Sequence, residues 1–111
     1  MRPDDRIRLR HMIDAAEAAL GFAAGRTRSD LESNQMLLFA LVRAFSVVGE
    51  AAARLSEEGR AAAPDVPWRQ IVAMRNRLIH AYFDIDRDIL WTAIRDELPD
   101  LLARLESVPL D

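Results

Sequence analysis

The stretch from Met36 to Leu55, MLLFALVRAFSVVGEAAARL, constrains the fold most, because it is apolar on nearly every side of a helix. A helix of this kind is normally buried in a core. Its most hydrophobic part, 36–48, contains Arg43 and is well short of the roughly 20 residues that span a bilayer. We therefore expect the central helix of a bundle. Gly49 costs that helix about 1 kcal/mol relative to Ala, which a close helix crossing would justify.

Two helices are predicted from periodicity and capping in the first half of the chain. Apolar residues at three- and four-residue spacing predict a first helix over roughly Asp4 to Ala24. Ser29 and Glu32 have the spacing of a capping box, so the second helix is expected to run from Asp30 to about Ser56.

The second half of the chain predicts two or three more helices. Glycine and prolines between 57 and 67 interrupt the pattern, with Asp65 as a candidate N-cap, so a third helix is expected over Trp68 to about Ala81. The alternation in FDIDRDILW resembles a strand, but Asp86 is better interpreted as the N-cap of a fourth helix. Pro99 either kinks that helix or starts a short final one through about Ser107.

These elements predict an all-α fold, a four- to five-helix up-and-down bundle. No second strand candidate is evident, so no sheet is expected. At 111 residues the chain is expected to form a single domain over 1–111. The charged N-terminus lacks the apolar segment of a signal peptide, which favours a cytoplasmic location.

Composition excludes several kinds of function. Cysteine is absent and the two histidines, His11 and His80, are far apart, which argues against a metal site built by the protein. The net charge of -3 argues against a generally basic nucleic-acid-coating protein. Between Asp65 and Asp84, however, the chain has no acidic residue, and its basic side chains there include Arg69, Arg75 and Arg77.

The segment 74–83, MRNRLIHAYF, gathers the candidate functional side chains. Since each helical residue turns about 100°, Asn76 and His80 share a face, whereas Arg75 and His80 are roughly 140° apart. One helix therefore cannot direct both Arg75 and His80 at one atom. Either the helix ends near His80 and the chain turns, or a second copy supplies the missing groups across a two-fold axis.

Each of these side chains also has an ordinary structural interpretation. A histidine at a helix end commonly bonds the last carbonyls, exposed arginines are usually solvated, and a tyrosine is commonly a partly buried anchor. Glu50, beside a buried glycine, fits a structural carboxylate, and His11 a solvated side chain. No single residue decides the function.

The pattern as a whole is more specific, since Arg75, His80 and Tyr82 form an Arg-x4-His-x-Tyr motif. The motif and its surroundings resemble the HEPN superfamily, in particular its HepT-like toxin branch. The resemblance covers essentially the full chain, and it is carried by VVGEAAARLS at 47–56, PDVPWRQIVAMRNRLIHAYFDID at 64–86, ILW at 89–91 and LPDLLARL at 98–105.

This resemblance implies a small helical homodimer in which Arg75 and His80 line a cleft at the interface. It implies a metal-independent endoribonuclease, the toxin of a type VII-like toxin-antitoxin system, with RNA as substrate and no cofactor. The cognate partner would be a minimal nucleotidyltransferase antitoxin that transfers AMP to Tyr82.

The residue types fit that chemistry on physical grounds. Cleavage of RNA by its own 2'-hydroxyl needs a base, an acid and positive charge on the developing phosphorane. His80 can fill either proton role, and Arg75 can stabilise the charge. Asn76, on the face of His80, is a candidate for orienting His80 or binding the substrate, and Arg77 is a candidate for binding the RNA backbone. Two alternatives are a non-catalytic helical partner of a nucleotidyltransferase and a purely structural dimerisation module.

Overall fold

The computed structural model describes residues 1–81 and 84–109, with the backbone alone described at 79–81 and 84. The helices are α1 (Pro3–Ala23), α2 (Asp30–Ser33), α3 (Gln35–Arg54), α4 (Glu57–Ala61), α5 (Trp68–Leu78), α6 (Arg87–Thr92) and α7 (Leu98–Glu106), with a π-helical segment at Ala93–Glu97 between the last two. Within the described ranges these form four longer helical units and two short helices. The predicted all-α bundle is confirmed.

Helix α3 is the central helix, as its composition predicts. It packs against α1 on one side and α5 on the other, and α1 also packs against α7. The apolar stripe of α1 meets the buried face of α3, and the fully buried side chains of the core include Leu9, Met12, Leu41 and Val48. Burial of these side chains removes apolar surface from water, which is the main force that holds the bundle together.

Over its full length α3 is long and apolar enough to cross a membrane, with a mean hydropathy of 1.7 in its most apolar window. The shortness of its most apolar part, 36–48, therefore does not by itself exclude a membrane span. Half of that window is buried within the bundle, however. A position at the centre of a core accounts for its composition equally well.

The expected single helix from Asp30 to Ser56 is wrong, because the chain breaks at Asn34. Asn34 has an extended backbone (φ -126, ψ 95), and its side chain accepts a hydrogen bond from the Leu37 N–H. An asparagine that caps the following helix in this way satisfies a backbone donor that would otherwise be unpaired. Ser29 makes no side-chain cap, so its capping-box spacing with Glu32 has no structural counterpart.

A short helix, α4, occupies part of the segment predicted to be irregular, and a buried carboxylate anchors it. The Ser56 hydroxyl accepts from the Gly59 N–H and donates to the Asp5 carboxylate, which also accepts from the Ser56 N–H. Asp5 is only 1% exposed. The two Ser56 hydrogen bonds lower the pKa of Asp5 despite its burial. We call Asp5, Ser56 and Gly59 the Asp5 joint.

Helix α5 ends three residues earlier than predicted. Ile79–Ala81 instead forms strand β1, which pairs antiparallel with β2 (Asp84–Ile85). The Asp86 N–H bonds the Leu78 carbonyl and so closes the hairpin against the helix end. The expectation that no sheet forms is therefore wrong here. The alternation in FDIDRDILW does indicate a strand, β2. Its partner, β1, lies in the part of the chain that was predicted to be the end of the third helix.

The last helical unit explains how Pro99 is accommodated. Asp86 caps α6 by accepting from the Ile89 N–H at 3.0 Å, as predicted. The chain then widens into the π-helical segment, where the Leu98 N–H bonds the Ala93 carbonyl five residues back. A proline in a regular helix clashes with the carbonyl four residues earlier, and the wider turn relieves that clash. Pro99 thus lies in the first turn of α7, where a proline is tolerated.

Candidate active site

Arg75 lies on α5, three residues before the helix ends, and a glycine on α3 brings it close to that helix. A Cβ atom placed on Gly49 would lie 2.6 Å from both Cβ and Cγ of Arg75. Any side chain at position 49 would therefore displace the arginine. The close helix crossing expected from the presence of Gly49 is confirmed, and it positions a predicted catalytic residue.

Two polar neighbours orient the Arg75 guanidinium. Its Nη1 donates to the Asn76 Oδ1 at 2.8 Å, and its Nη2 lies 3.8 Å from the Glu50 carboxylate. The side chain remains 34% exposed. A guanidinium that is anchored along its stem yet open at its tip can offer planar N–H donors to an incoming phosphate. Glu50, interpreted from sequence as a structural carboxylate, is thus the ionic neighbour of Arg75.

The end of α5 separates Arg75 from His80. Arg75 belongs to the helix, whereas the His80 backbone belongs to β1. Of the two alternatives drawn from helix geometry, the helix end near His80 is present. The roughly 140° offset of a continuous helix therefore no longer applies to this pair. The His80 side chain and the whole of Tyr82 lie outside the described part of the chain.

Asn76 and Arg77 lie in different surroundings. Asn76 is exposed and bonded to Arg75, so it joins the Arg75 site directly. Arg77 is two residues on, about 200° around α5. It lines a separate groove of about 630 Å³ between α5 and the π-helical segment, opposite Asp96 and Glu97. The structure therefore brings Asn76, and not Arg77, together with Arg75.

His11 is exposed on α1 and lines another groove, between α1 and α3. Three arginines, Arg8, Arg43 and Arg54, line the same groove, and the sequence had given none of them a role. They come from two helices that are adjacent only in the fold, so their spacing along the chain offered no signal. Among the described residues, no group of three or more His, Cys, Asp or Glu side chains is placed to hold a metal ion.

Comparison with known proteins identifies the family to which this chain belongs. The sequence model of the ribonuclease HepT-like family matches residues 12–108. A probable ribonuclease HepT of Thermococcus cleftensis is 30% identical over 90% of this chain and 91% of its own length. A candidate RNase of Methanocaldococcus jannaschii is 31% identical over 87% of this chain and 89% of its own.

A candidate RNase of Caldanaerobacter subterraneus subsp. tengcongensis is 32% identical, over 90% of this chain and 89% of its own length. No solved structure matches the chain. The structure is that of a small all-α protein, a helical bundle with a partly exposed arginine near the end of one helix. The protein belongs to the HepT-like ribonuclease family of the HEPN superfamily.

Proposed function

We propose that this protein is the toxin of a type VII-like toxin-antitoxin system and acts as a metal-independent endoribonuclease at its Arg-x4-His site. The observation that carries the proposal is the placement of Arg75. Gly49 and Glu50 hold it at a partly exposed position immediately before the chain turns towards His80. Membership of a ribonuclease family supports the same reaction class.

In the proposed reaction, the 2'-hydroxyl of the RNA attacks the adjacent phosphorus. His80 removes the hydroxyl proton or protonates the departing 5'-oxygen, and the Arg75 guanidinium stabilises the negative charge that develops on the phosphorane. The P–O5' bond breaks as the O2'–P bond forms. The products are a 2',3'-cyclic phosphate and a 5'-hydroxyl end, so no water is consumed in this step.

A homodimer would complete the site. Cleavage needs one proton acceptor and one proton donor, and each chain has a single histidine in the motif. Two copies related by a two-fold axis would supply two His80 side chains to one cleft, one for each role. Asn76 would orient the arginine, to which it is already bonded. Arg77 would at most contact a distant part of the substrate, because it faces another groove.

Tyr82 is the proposed regulatory site. A cognate nucleotidyltransferase would join the α-phosphorus of a nucleoside triphosphate to the tyrosine oxygen and release pyrophosphate. Tyr82 is only two residues beyond His80, so an attached AMP would bring bulk and negative charge to a site that must admit an RNA phosphate. Both effects oppose substrate binding.

The first test measures cleavage of single-stranded RNA by the purified, unmodified protein in excess chelator. We expect activity to survive chelation and to fall by about 10² or more in Arg75→Ala and in His80→Ala, each with helicity retained. Arg95→Ala, an exposed arginine of the π-helical segment, is the matched control and should remain active. An inactive wild-type protein on varied RNAs would contradict the nuclease and favour a non-catalytic partner of a nucleotidyltransferase.

The second test concerns the regulatory site. Tyr82→Phe should retain nuclease activity but escape neutralisation when incubated with the nucleotidyltransferase and ATP. Mass spectrometry should find AMP on the wild-type chain and none on the variant. Full neutralisation of Tyr82→Phe through AMP transfer would show that another residue carries the modification.

A further inference from the structure

The α1–α3 groove brings together three of the fifteen arginines of this acidic chain. It is lined by Ile7, Arg8 and His11 of α1 and by Arg43, Val47 and Arg54 of α3. Its volume is about 400 Å³. Arg43 and Arg54 are exposed and Arg8 is half-buried. Arg54 is eleven positions beyond Arg43, which places the two on the same side of α3 and about 16.5 Å apart along its axis.

These three arginines differ from many others on the surface. Arg10 and Arg104 each form an ion pair with a carboxylate four residues away on their own helix, and Arg28, which precedes α2, pairs with Glu32 of that helix. Within the described ranges, Arg8, Arg43 and Arg54 form no ion pair and no side-chain hydrogen bond. Asp4 and Glu50 also line the groove, but Glu50 is shared with Arg75. Three arginines against two carboxylates leave the groove with a net charge of about +1, in a chain whose formal net charge is -3.

The groove is also next to the candidate active site. Glu50 lines the groove, and its carboxylate lies 3.8 Å from the Arg75 guanidinium. Arg54 is one helical turn beyond Glu50, so the cationic residues of α3 flank the carboxylate that orients Arg75. Glu50 is thus the boundary between the groove and the Arg75 site, and a strand that leaves the groove beside it reaches Arg75.

We infer that the α1–α3 groove binds the sugar-phosphate backbone of single-stranded RNA on its way to Arg75. The inference rests on the proposed nuclease and names where that substrate is held. Guanidinium groups suit phosphate oxygens, and Ile7 and Val47 give the floor an apolar surface against which ribose and base can lie. Backbone contacts of this kind position a strand without reading its sequence.

The test compares Arg43→Ala/Arg54→Ala with Arg10→Ala/Arg95→Ala, which removes the same number of exposed charges outside the groove. Fluorescence anisotropy with a short labelled 2'-O-methyl RNA, which lacks the attacking hydroxyl and so is not cleaved, gives the affinity over a range of salt concentrations. We expect the groove variant to bind on the order of ten-fold more weakly, with a slope of log affinity against log salt that is smaller by about 1.4. The control should match the wild type.

Cleavage kinetics and the oligomeric state of the groove variant separate this inference from the proposed function. The groove variant should raise KM about ten-fold and leave kcat close to wild type, because its arginines hold the strand rather than the reacting phosphate. Normal cleavage with unchanged KM and salt slope would overturn the groove and leave the nuclease standing. If binding of RNA depends on the groove but no RNA is cleaved, the groove would stand and the nuclease would be contradicted. Equal losses of RNA affinity in the groove variant and the control would also overturn the inference. So would dissociation of a dimer of the groove variant in light scattering, because that would assign this face to contact between copies of the chain.

Discussion

Two contacts between helices in this bundle, which we call joints, are built in the same way but have different roles. In each, a glycine lets a charged side chain from another helix approach closely: Gly59 faces the Asp5 carboxylate, and Gly49 faces the stem of Arg75. A Cβ on either glycine would come within 2.6 Å of its neighbour. In both joints, the charged residue occupies space that any side chain on the glycine would fill.

The joints differ in how the charge is satisfied. Asp5 is buried and accepts hydrogen bonds from both the N–H and the hydroxyl of Ser56. Arg75 is one-third exposed, with one hydrogen bond to its neighbour Asn76 and a longer contact to Glu50. A saturated, buried charge stabilises a fold, whereas a positioned but unsaturated charge is available to a ligand. The first joint is structural and the second is the candidate site.

The largest expected effect is on stability, at the Asp5 joint. Asp5→Ala should lower the free energy of unfolding by about 3 kcal/mol, because it leaves the Ser56 donors without their charged acceptor in a buried place. Urea unfolding followed by circular dichroism measures this loss. Asp14→Ala, which removes an exposed ion pair with Arg10, is the control and should change stability by less than about 0.5 kcal/mol. RNA cleavage by the folded Asp5→Ala protein should be unchanged.

Exchanging the two glycines for alanine sharpens the comparison. Gly49→Ala should reduce RNA cleavage by about ten-fold or more, because Arg75 must move to admit the new methyl group. Gly59→Ala should leave cleavage unchanged and destabilise the fold by about 1–3 kcal/mol through crowding of Asp5. Cleavage rates and urea midpoints of both variants check this. Equal activity in the two variants would show that Gly49 does not position a functional residue.

The Asp5 joint should also make the stability of the fold sensitive to acid. Hydrogen bonds from Ser56 hold the pKa of Asp5 below its ordinary value of 3.8, so the unfolded chain takes up this proton more readily than the folded one. The stabilisation from Asp5 is thus complete at neutral pH and declines from about pH 5 downwards, as the pH falls through 3.8 towards the lower folded pKa. Urea midpoints should therefore fall more steeply between pH 5 and pH 3 in wild type than in Asp5→Asn. Parallel curves would remove Asp5 as the source.

Glu50→Gln should have the smallest effect on stability, at most about 0.5 kcal/mol, because the pair with Arg75 is exposed and long. Its influence should appear in binding, where loss of a competing carboxylate strengthens the attraction of Arg75 for a phosphate and lowers KM by a few-fold. Steady-state kinetics would show it. A rise in KM would contradict this competition and leave Glu50 only its positioning contact with Arg75.

Much of the helical architecture follows from local sequence signals. The apolar composition of α3, the N-cap at Asp86 and the close crossing at Gly49 are all encoded within a few residues, and all are present in the structure. The break at Asn34 was missed because Ser29 and Glu32 carried a stronger apparent cap. The hairpin was missed because Ile79 and Ile85 belong to a pairing that no single segment displays.

The candidate site depends on contacts that sequence cannot display. The motif identifies Arg75, but its ionic neighbour lies twenty-five positions earlier on another helix. The same holds for Arg8 and Arg43, which share a groove only because α1 packs along α3. Residue types suggest a chemistry, and only the packing of helices shows which of them can act together.

The π-helical segment has a consequence for how this fold can vary. Since the Leu98 N–H reaches five residues back, the segment holds one residue more than a regular turn, and each residue advances the helix by about 100°. Deleting one residue there would rotate α7 by that angle and turn the buried Leu101 and Leu105 towards solvent. The extra residue thus sets which face of α7 is turned towards the core. Pro99 maintains this arrangement, because a proline at that position disfavours a regular α-helix through the segment.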